Sequence, residues 1–174
     1  MNALGGPAVA SAILLAIGGT SKLLRPANTS HALRALRLPA APFGVRLLAA
    51  AEIGVAVGAL AAGGRYAWLL VAGAYLGFAC FVVLAMSRGG AVSSCGCFGD
   101  PDTPPTLVHV LLTASASALA FATAVGHPPG PVLDALADMP LLGLPFLLAT
   151  GCCVWFAHAA VTVLPRTMAF VRPD

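Results

Sequence analysis

Five apolar runs, separated by short segments rich in proline, glycine or basic residues, divide this sequence. They cover about residues 7–24, 44–62, 66–86, 104–125 and 140–163. At about 1.5 Å of rise per residue, each run is long enough to cross a hydrocarbon core of about 30 Å as an α-helix. The pattern therefore predicts an all-α fold, an integral membrane bundle of five transmembrane helices in a single membrane domain spanning residues 1–174.

The connectors predict smaller elements. Leucines alternate with arginines within residues 25–43, which indicates a short amphipathic turn in the membrane interface. Residues 132–139 predict a second short interfacial helix. Gly63 and Gly64 leave so short a turn between the second and third runs that these two are expected to pack as an antiparallel hairpin.

Small and aromatic residues predict how the runs pack. Gly18 and Gly19 would let another helix approach the first run closely. Tyr66 and Trp68, at the start of the third run, are interpreted as an interfacial aromatic pair. Pro145 lies near the start of the fifth run, where a proline interrupts helical hydrogen bonding, so the count of five spans depends most on this run.

The composition places the chain in a lipid bilayer. Hydrophobic residues make up 59% of the chain and charged residues 9%, and the mean hydropathy is +0.94. Soluble domains carry about a quarter charged residues. The net charge of +3 gives no indication of nucleic-acid binding, because the basic residues collect at one end of the predicted helices.

The distribution of lysine and arginine predicts an orientation in the bacterial inner membrane. Arg65 alone falls on one side of the five runs, and eight basic residues fall on the other: Lys22, Arg25, Arg34, Arg37, Arg46, Arg88, Arg166 and Arg172. The positive-inside rule then puts the N-terminus outside and the loop of residues 87–103 in the cytoplasm. The first run lacks a basic leader and an Ala-X-Ala site, so it is expected to be a retained helix.

The loop of residues 87–103 contains the stretch best suited to chemistry, in which Cys95 and Cys97 flank one glycine. Two thiols in such a turn can close a strained disulfide, bind a soft metal or exchange with a partner's disulfide. A bridge between residues i and i+2 is easily reduced, which suits a carrier of electrons. The alternative is that both are incidental loop cysteines.

Ionisable residues inside the runs are the next candidates. Glu52 is the only acidic residue within a predicted span, and we expect it to pair with Lys22, or failing that with Arg46. The pair either ties two helices together or gives Glu52 a role as proton acceptor. His109 and His158 fall on the same side as the cysteine loop, as helix-to-helix hydrogen-bonding residues or as bases. Lys22, Glu52 and His109 are expected to form a polar cluster beneath this loop, with His158 as a further candidate.

The three remaining cysteines lie within the runs. Cys80, Cys152 and Cys153 are interpreted as buried apolar filler. The alternative is a relay that passes electrons from Cys95 and Cys97 across the membrane.

The combination of Lys22, Glu52 and the stretch Cys-Gly-Cys-Phe-Gly from Cys95 resembles the MauE proteins of methylamine utilisation, relatives of the DoxX-like membrane proteins. The resemblance implies a four-helix DoxX-like core plus one helix. It also implies redox-linked maturation of an extracytoplasmic client protein with disulfides, together with a thioredoxin-like partner. In the namesake pathway the client is the beta subunit of methylamine dehydrogenase. The site residues under this interpretation are Cys95, Cys97, Glu52, Lys22 and His109.

Two other functions are compatible with the same residues. A metal-handling protein would hold Cu(I) or Zn(II) with Cys95, Cys97 and His109, and with a fourth ligand such as Asp100. An assembly scaffold would keep the cysteine bridge permanently closed. We assign no cofactor, because the sequence has no phosphate-binding glycine loop, nucleotide fingerprint or zinc-hydrolase motif.

Overall fold

The computed structural model describes residues 5–88, 105–126, 128–138 and 140–163, which form only helices and their connectors. The helices are α1 (Gly5–Leu24), α2 (Pro26–Ala35), α3 (Pro42–Ala61), α4 (Arg65–Ser87), α5 (Leu107–Val125), α6 (Val132–Ala137) and α7 (Pro140–Thr162). Five of them, α1, α3, α4, α5 and α7, are long and apolar enough to cross a membrane. The predicted class, an all-α membrane bundle with five spans, is confirmed.

Four helices share one hydrophobic core. Its buried side chains come from α1, α3, α4 and α5, among them Leu15, Trp68, Val71 and Tyr75, and much of the remainder is alanine. Small side chains let helix backbones approach closely where lipid provides no hydrophobic drive for association. The fifth long helix, α7, packs beside this core, mainly on α1.

The connectors place the helix ends. Gly63 and Gly64 have positive φ values of 65° and 84°, and the Gly64 N–H donates to the carbonyl oxygen of Pro129, 3.3 Å away. The α3–α4 turn and the α5–α6 connector therefore meet at one end of the bundle, which we call the Arg65 end. The C-termini of α1 and α4 and the N-termini of α3 and α5 form the opposite end, called the Lys22 end.

The expected α3–α4 hairpin has a tight turn, but its two helices pack against each other only to a limited extent. The two helices do contact each other, yet the most extensive contacts of α3 are with α1, and those of α4 are with α5. The hydroxyl of Ser117 on α5 donates to the Ala72 carbonyl oxygen of α4 at 2.8 Å. A cavity lies between α3 and α4 toward the Lys22 end.

The segment predicted to be a short amphipathic turn is a ten-residue helix, α2. It starts with Pro26, whose missing N–H costs nothing in a first helical turn. It ends where the N–H groups of Arg37 and Leu38 donate to the carbonyls of Arg34 and Leu33, with Arg37 at φ 58°. This is a Schellman motif with arginine at the left-handed position that glycine usually occupies.

The interpretation of Trp68 as an interfacial residue is wrong. Its side chain is 0% exposed in the four-helix core, whereas Tyr66 is 80% exposed. Residues two apart on a helix point about 200° apart, so the two rings cannot share one face. Trp68 lies on the face that Val71 and Tyr75 also present to the core.

Candidate functional site

A buried ion pair joins α1 to α3. Lys22 Nζ lies 2.6 Å from Glu52 Oε2, and both side chains are 3% exposed. The expected pairing of Glu52 with Lys22 is confirmed, while the second choice, Arg46, is exposed on α3. Since charges are costly inside a bilayer, a pair at hydrogen-bonding distance is the arrangement that a span tolerates best.

Gly19 brings the two helices close enough for this pair to form. A methyl group added there would lie 2.9 Å from the carbonyl oxygen of Ala49 and 2.9 Å from the Ile53 side chain. Lys22 follows Gly19 by almost one helical turn, and Glu52 follows Ala49 by the same interval. The predicted close approach at this glycine is thus confirmed, and it sets the spacing of the pair.

The two charged groups differ in what else they contact. Lys22 Nζ lies 4.4 Å from the centre of the Phe78 ring, a cation–π contact that supplements the ion pair. Glu52 Oε1 is buried and accepts no hydrogen bond from any residue that the structure describes. One carboxylate oxygen is therefore satisfied by Lys22, and the other retains unused acceptor capacity.

This unused oxygen belongs to a residue that lines a cavity of about 370 Å³. Lys22, Leu48 and Glu52 form its α1 and α3 walls, and Thr29 and Leu33 of α2 close it at the Lys22 end. The α4 wall consists of Gly73, Ala74, Gly77, Phe78 and Phe81. Apart from the ion pair and Thr29, the wall residues that the structure describes are apolar.

Tyr75 fixes the rings next to the cavity. Its hydroxyl donates to the Ser11 carbonyl oxygen of α1 at 2.6 Å, and its ring meets that of Phe78 edge to face, with centroids 5.9 Å apart. The hydroxyl is thus used to join α4 to α1. Phe78 is held between Tyr75 and the Lys22 ammonium group.

His109 lies at the Lys22 end, in the first turn of α5, and is 2% exposed. Its Nδ1 lies 2.8 Å from the hydroxyl of Thr106, and its buried Nε2 has no hydrogen-bond partner among the described residues. The α5 helix begins at Leu107 and not near residue 104, because Thr106 is extended. The side chain of Thr106 orients the imidazole instead of capping the helix.

The expected polar cluster is therefore only partly assembled. Lys22 and Glu52 are in direct contact, whereas neither ring nitrogen of His109 bonds to them. His158 is partly buried near the end of α7 that approaches the Lys22 end, and its carbonyl oxygen accepts from the Thr162 hydroxyl. Lys22 and His109 lie at the Lys22 end, on α1 and α5, and Glu52 contacts Lys22 from the middle of α3.

The cysteines fall into two groups. Cys95 and Cys97, like Asp100, lie outside the described residues. Cys80, Cys152 and Cys153 carry free thiols and are exposed on the outer surfaces of α4 and α7, so the interpretation as buried filler is wrong. They lie on helix faces turned away from the core, where lipid surrounds a spanning helix.

The residues that shape the cavity were not predicted from the sequence. Gly73 and Gly77 lie four positions apart on α4 and precede Phe78, and this spacing of small residues in an apolar run was a usable signal. The role of Thr106 could not be predicted from its position, because a threonine directly before a helix ordinarily caps it. Within the described ranges, no three His, Cys, Asp or Glu residues lie together as a metal site would require.

Comparison with known proteins identifies one family. The family model described as methylamine utilisation protein MauE matches residues 3–128 of the 174-residue chain. The match includes α1 to α5 and ends before α6. No curated protein and no solved structure matches the chain. The four core helices thus all lie within the matched region, and α7 lies outside it.

Proposed function

The chain belongs to the MauE family, and from this premise we propose that it is a membrane thiol–disulfide redox or maturation factor. Cys95 and Cys97 are its proposed redox pair. The proposed partner is a thioredoxin-like protein, and the proposed client is an extracytoplasmic protein that matures by forming disulfides, as the beta subunit of methylamine dehydrogenase does in the pathway that names the family.

The proposed reaction is thiol–disulfide exchange. A thiolate of the partner attacks one sulfur of the Cys95–Cys97 disulfide, which forms a mixed disulfide and releases the other cysteine as a thiolate. The partner's second thiol then attacks the mixed disulfide. The partner leaves oxidised, and Cys95 and Cys97 are left as a dithiol after two electrons and two protons have been transferred to them.

The single observation that carries this proposal is the family match, which includes the Cys-Gly-Cys stretch. The segment with Cys95 and Cys97 connects α4 to α5, and the ends of both helices lie at the Lys22 end. His109 at this end, and Glu52 in the middle of α3 beside Lys22, each have a buried atom without a hydrogen-bond partner among the described residues. We propose that they exchange protons with the thiols, and that Lys22 stabilises the Glu52 carboxylate.

Thiol trapping at graded redox potentials tests the proposal. We expect an alkylating reagent to modify Cys95 and Cys97 at low potential and neither of them at higher potential. Cys95→Ser and Cys97→Ser cannot form the disulfide that the partner attacks, so each should either abolish the mixed disulfide or trap it where the remaining cysteine bonds to the partner, whereas Cys80→Ser is the matched control. A cysteine pair that stays reduced at every potential would contradict the redox role. Full function of the Cys95→Ser/Cys97→Ser variant would indicate a scaffold.

One observation favours metal handling as a second candidate. The buried Nε2 of His109 has no partner among the described residues, as an unoccupied imidazole ligand would. Metal analysis of the purified protein, compared with Cys97→Ser and His109→Gln, distinguishes the two functions. Stoichiometric copper or zinc that disappears in both variants would favour the metal function over thiol exchange.

A further inference from the structure

The cavity beside the ion pair has the features of a ligand site, and we propose that it binds a neutral, lipid-soluble alcohol or phenol. The ligand's hydroxyl group would lie between Glu52 and Lys22, and its apolar body would lie against α4. All residues of this site lie in the described part of the chain, and binding there does not require the thiol chemistry of Cys95 and Cys97.

Glu52 and Lys22 form the polar end of the cavity. Glu52 Oε1 is buried without a partner among the described residues. Lys22 Nζ donates one of its three protons to Glu52 Oε2, and the ammonium group also makes a cation–π contact with the Phe78 ring. A hydroxyl group is the smallest group that donates to the first and accepts from the second. A buried acceptor gains most when such a donor arrives, because leaving it unpaired is costly.

The charge balance requires a neutral ligand. Lys22 and Glu52 neutralise each other within a span, and no other charged residue in the described part of the chain lines the cavity. An anionic or cationic head group would therefore introduce an uncompensated charge into an apolar site. Fatty acids and amines, which carry such a charge, are therefore not the preferred ligands.

The remaining walls suit an apolar body of limited size. Phe78 and Phe81 provide aromatic surface on α4, and Leu33 and Leu48 face them from α2 and α3. At about 30 Å³ for each water-sized group, 370 Å³ holds roughly a dozen such groups. A fused two-ring compound or a medium alkyl chain fits this volume.

The cavity is open toward the outer surface of α4. Gly73 and Gly77 line it and are exposed, and a methyl group added to either would meet nothing within 4 Å. Both residues lie within the span, where the surroundings are lipid. A molecule dissolved in the bilayer can thus enter beside these glycines without crossing the core.

Binding of 2-naphthol tests the inference, with naphthalene as the probe that lacks the hydroxyl group. The intact protein in lipid nanodiscs is titrated with each compound, and empty nanodiscs provide the correction for partitioning. We expect one saturable site for 2-naphthol and binding of naphthalene at least about tenfold weaker, the change that corresponds to one hydrogen bond to a charged group.

Two leucine variants on exposed glycines locate the site. Gly77→Leu fills the cavity from its open side, whereas Gly54→Leu adds the same side chain on α3, where a Cβ also meets nothing within 4 Å. We expect at least tenfold weaker binding in the first and unchanged binding in the second, with equal helix content in both.

The outcomes separate this inference from the thiol function. Saturable binding that persists in the Cys95→Ser/Cys97→Ser variant would support the site whether or not the cysteines are redox-active. Absent binding, unchanged binding in Gly77→Leu, or equal affinity for naphthalene and 2-naphthol would each overturn the proposal. Equal affinity would show an apolar cavity that ordinary lipid chains fill.

Discussion

A methyl group at Gly19 would lie 2.9 Å from the carbonyl oxygen of Ala49, so α1 and α3 touch at a point where no side chain fits between them. This contact affects both the stability of the bundle and the geometry of the buried ion pair, because the pair lies less than one turn away.

Gly19→Ala should destabilise the protein by about 1–3 kcal/mol, because backbone and Ile53 must move to make room. Unfolding in mixed micelles measures the change. Gly54→Ala, on α3 with open space around its added methyl group, is the control, and it should be neutral or slightly stabilising because alanine favours helix. Equal effects of the two substitutions would argue against a tight α1–α3 contact.

Removing one member of the buried pair should cost more than removing both. Lys22→Met or Glu52→Gln leaves the opposite group buried without its partner, at a cost of about 3–5 kcal/mol. The double variant Lys22→Met/Glu52→Gln should recover a large part of that loss. A double-mutant cycle on unfolding free energies measures the coupling.

Arg46→Met is the matched control for that cycle, because Arg46 is exposed on α3. Its effect should stay within about 0.5 kcal/mol. Additive effects of Lys22→Met and Glu52→Gln would mean that the two side chains do not interact in the folded protein.

His109→Asn should slow thiol exchange at Cys95 and Cys97 while leaving the fold intact. The asparagine amide can take the place of Nδ1 beside Thr106, but it cannot transfer protons. Loss of general acid–base catalysis costs about 10²-fold or more in rate. The rate of exchange between the Cys95–Cys97 thiols and a small disulfide is measured by quenching the reaction at timed intervals with an alkylating reagent.

Thr106→Val separates positioning from proton transfer at the same histidine. It removes the hydroxyl that holds the ring and keeps the imidazole, so we expect a smaller decrease in rate than in His109→Asn. An unchanged rate in His109→Asn would remove His109 from the proposed site.

The two tryptophans should respond differently to lipid-borne quenchers. Trp68 is 0% exposed in the core, whereas Trp155 is 70% exposed on α7. In vesicles of bromine-labelled lipid, Trp155→Phe leaves only Trp68, whose fluorescence should be quenched weakly. Trp68→Phe leaves Trp155, which should be quenched strongly, and comparable quenching of both would contradict the described packing of α4 and α7.

The predicted orientation can be tested with a membrane-impermeant thiol reagent in intact cells. With Cys80, Cys152 and Cys153 replaced by alanine, Cys95 and Cys97 should react only after permeabilisation, because the positive-inside rule places their loop in the cytoplasm. Tyr66→Cys, in a variant without Cys95 and Cys97, reports the Arg65 end and should react in intact cells. The reverse pattern would show that the loop faces outward.

Much of the fold could be predicted because the bilayer imposes a length and a composition on every span. The five long helices start and end within a few residues of the predicted runs. The pairing of Lys22 with Glu52 was predictable for a related reason, since an isolated charge inside a span is too costly. Any acidic residue in a span therefore indicates a partner, and Lys22 was the nearest cation at the same depth.

Hydropathy alone cannot tell which face of an apolar helix meets protein and which meets lipid, because both surroundings are apolar. For this reason Trp68 was wrongly assigned to the interface, and Cys80, Cys152 and Cys153 were wrongly assigned to the interior. The separation of α3 from α4, and the cavity that results, depend on which neighbours each helix prefers.

The sequence by itself thus determined the number of long apolar helices, their approximate bounds along the chain and the need for a buried ion pair, because these follow from the cost of exposing polar groups to lipid. Only the tertiary structure decided that Gly19 sets the α1–α3 distance, that Glu52 lines a cavity with one oxygen unpaired among the described residues, and that Thr106 holds His109. Those features arise from contacts between helices distant in sequence, and no local pattern in an almost uniformly apolar chain specifies such contacts.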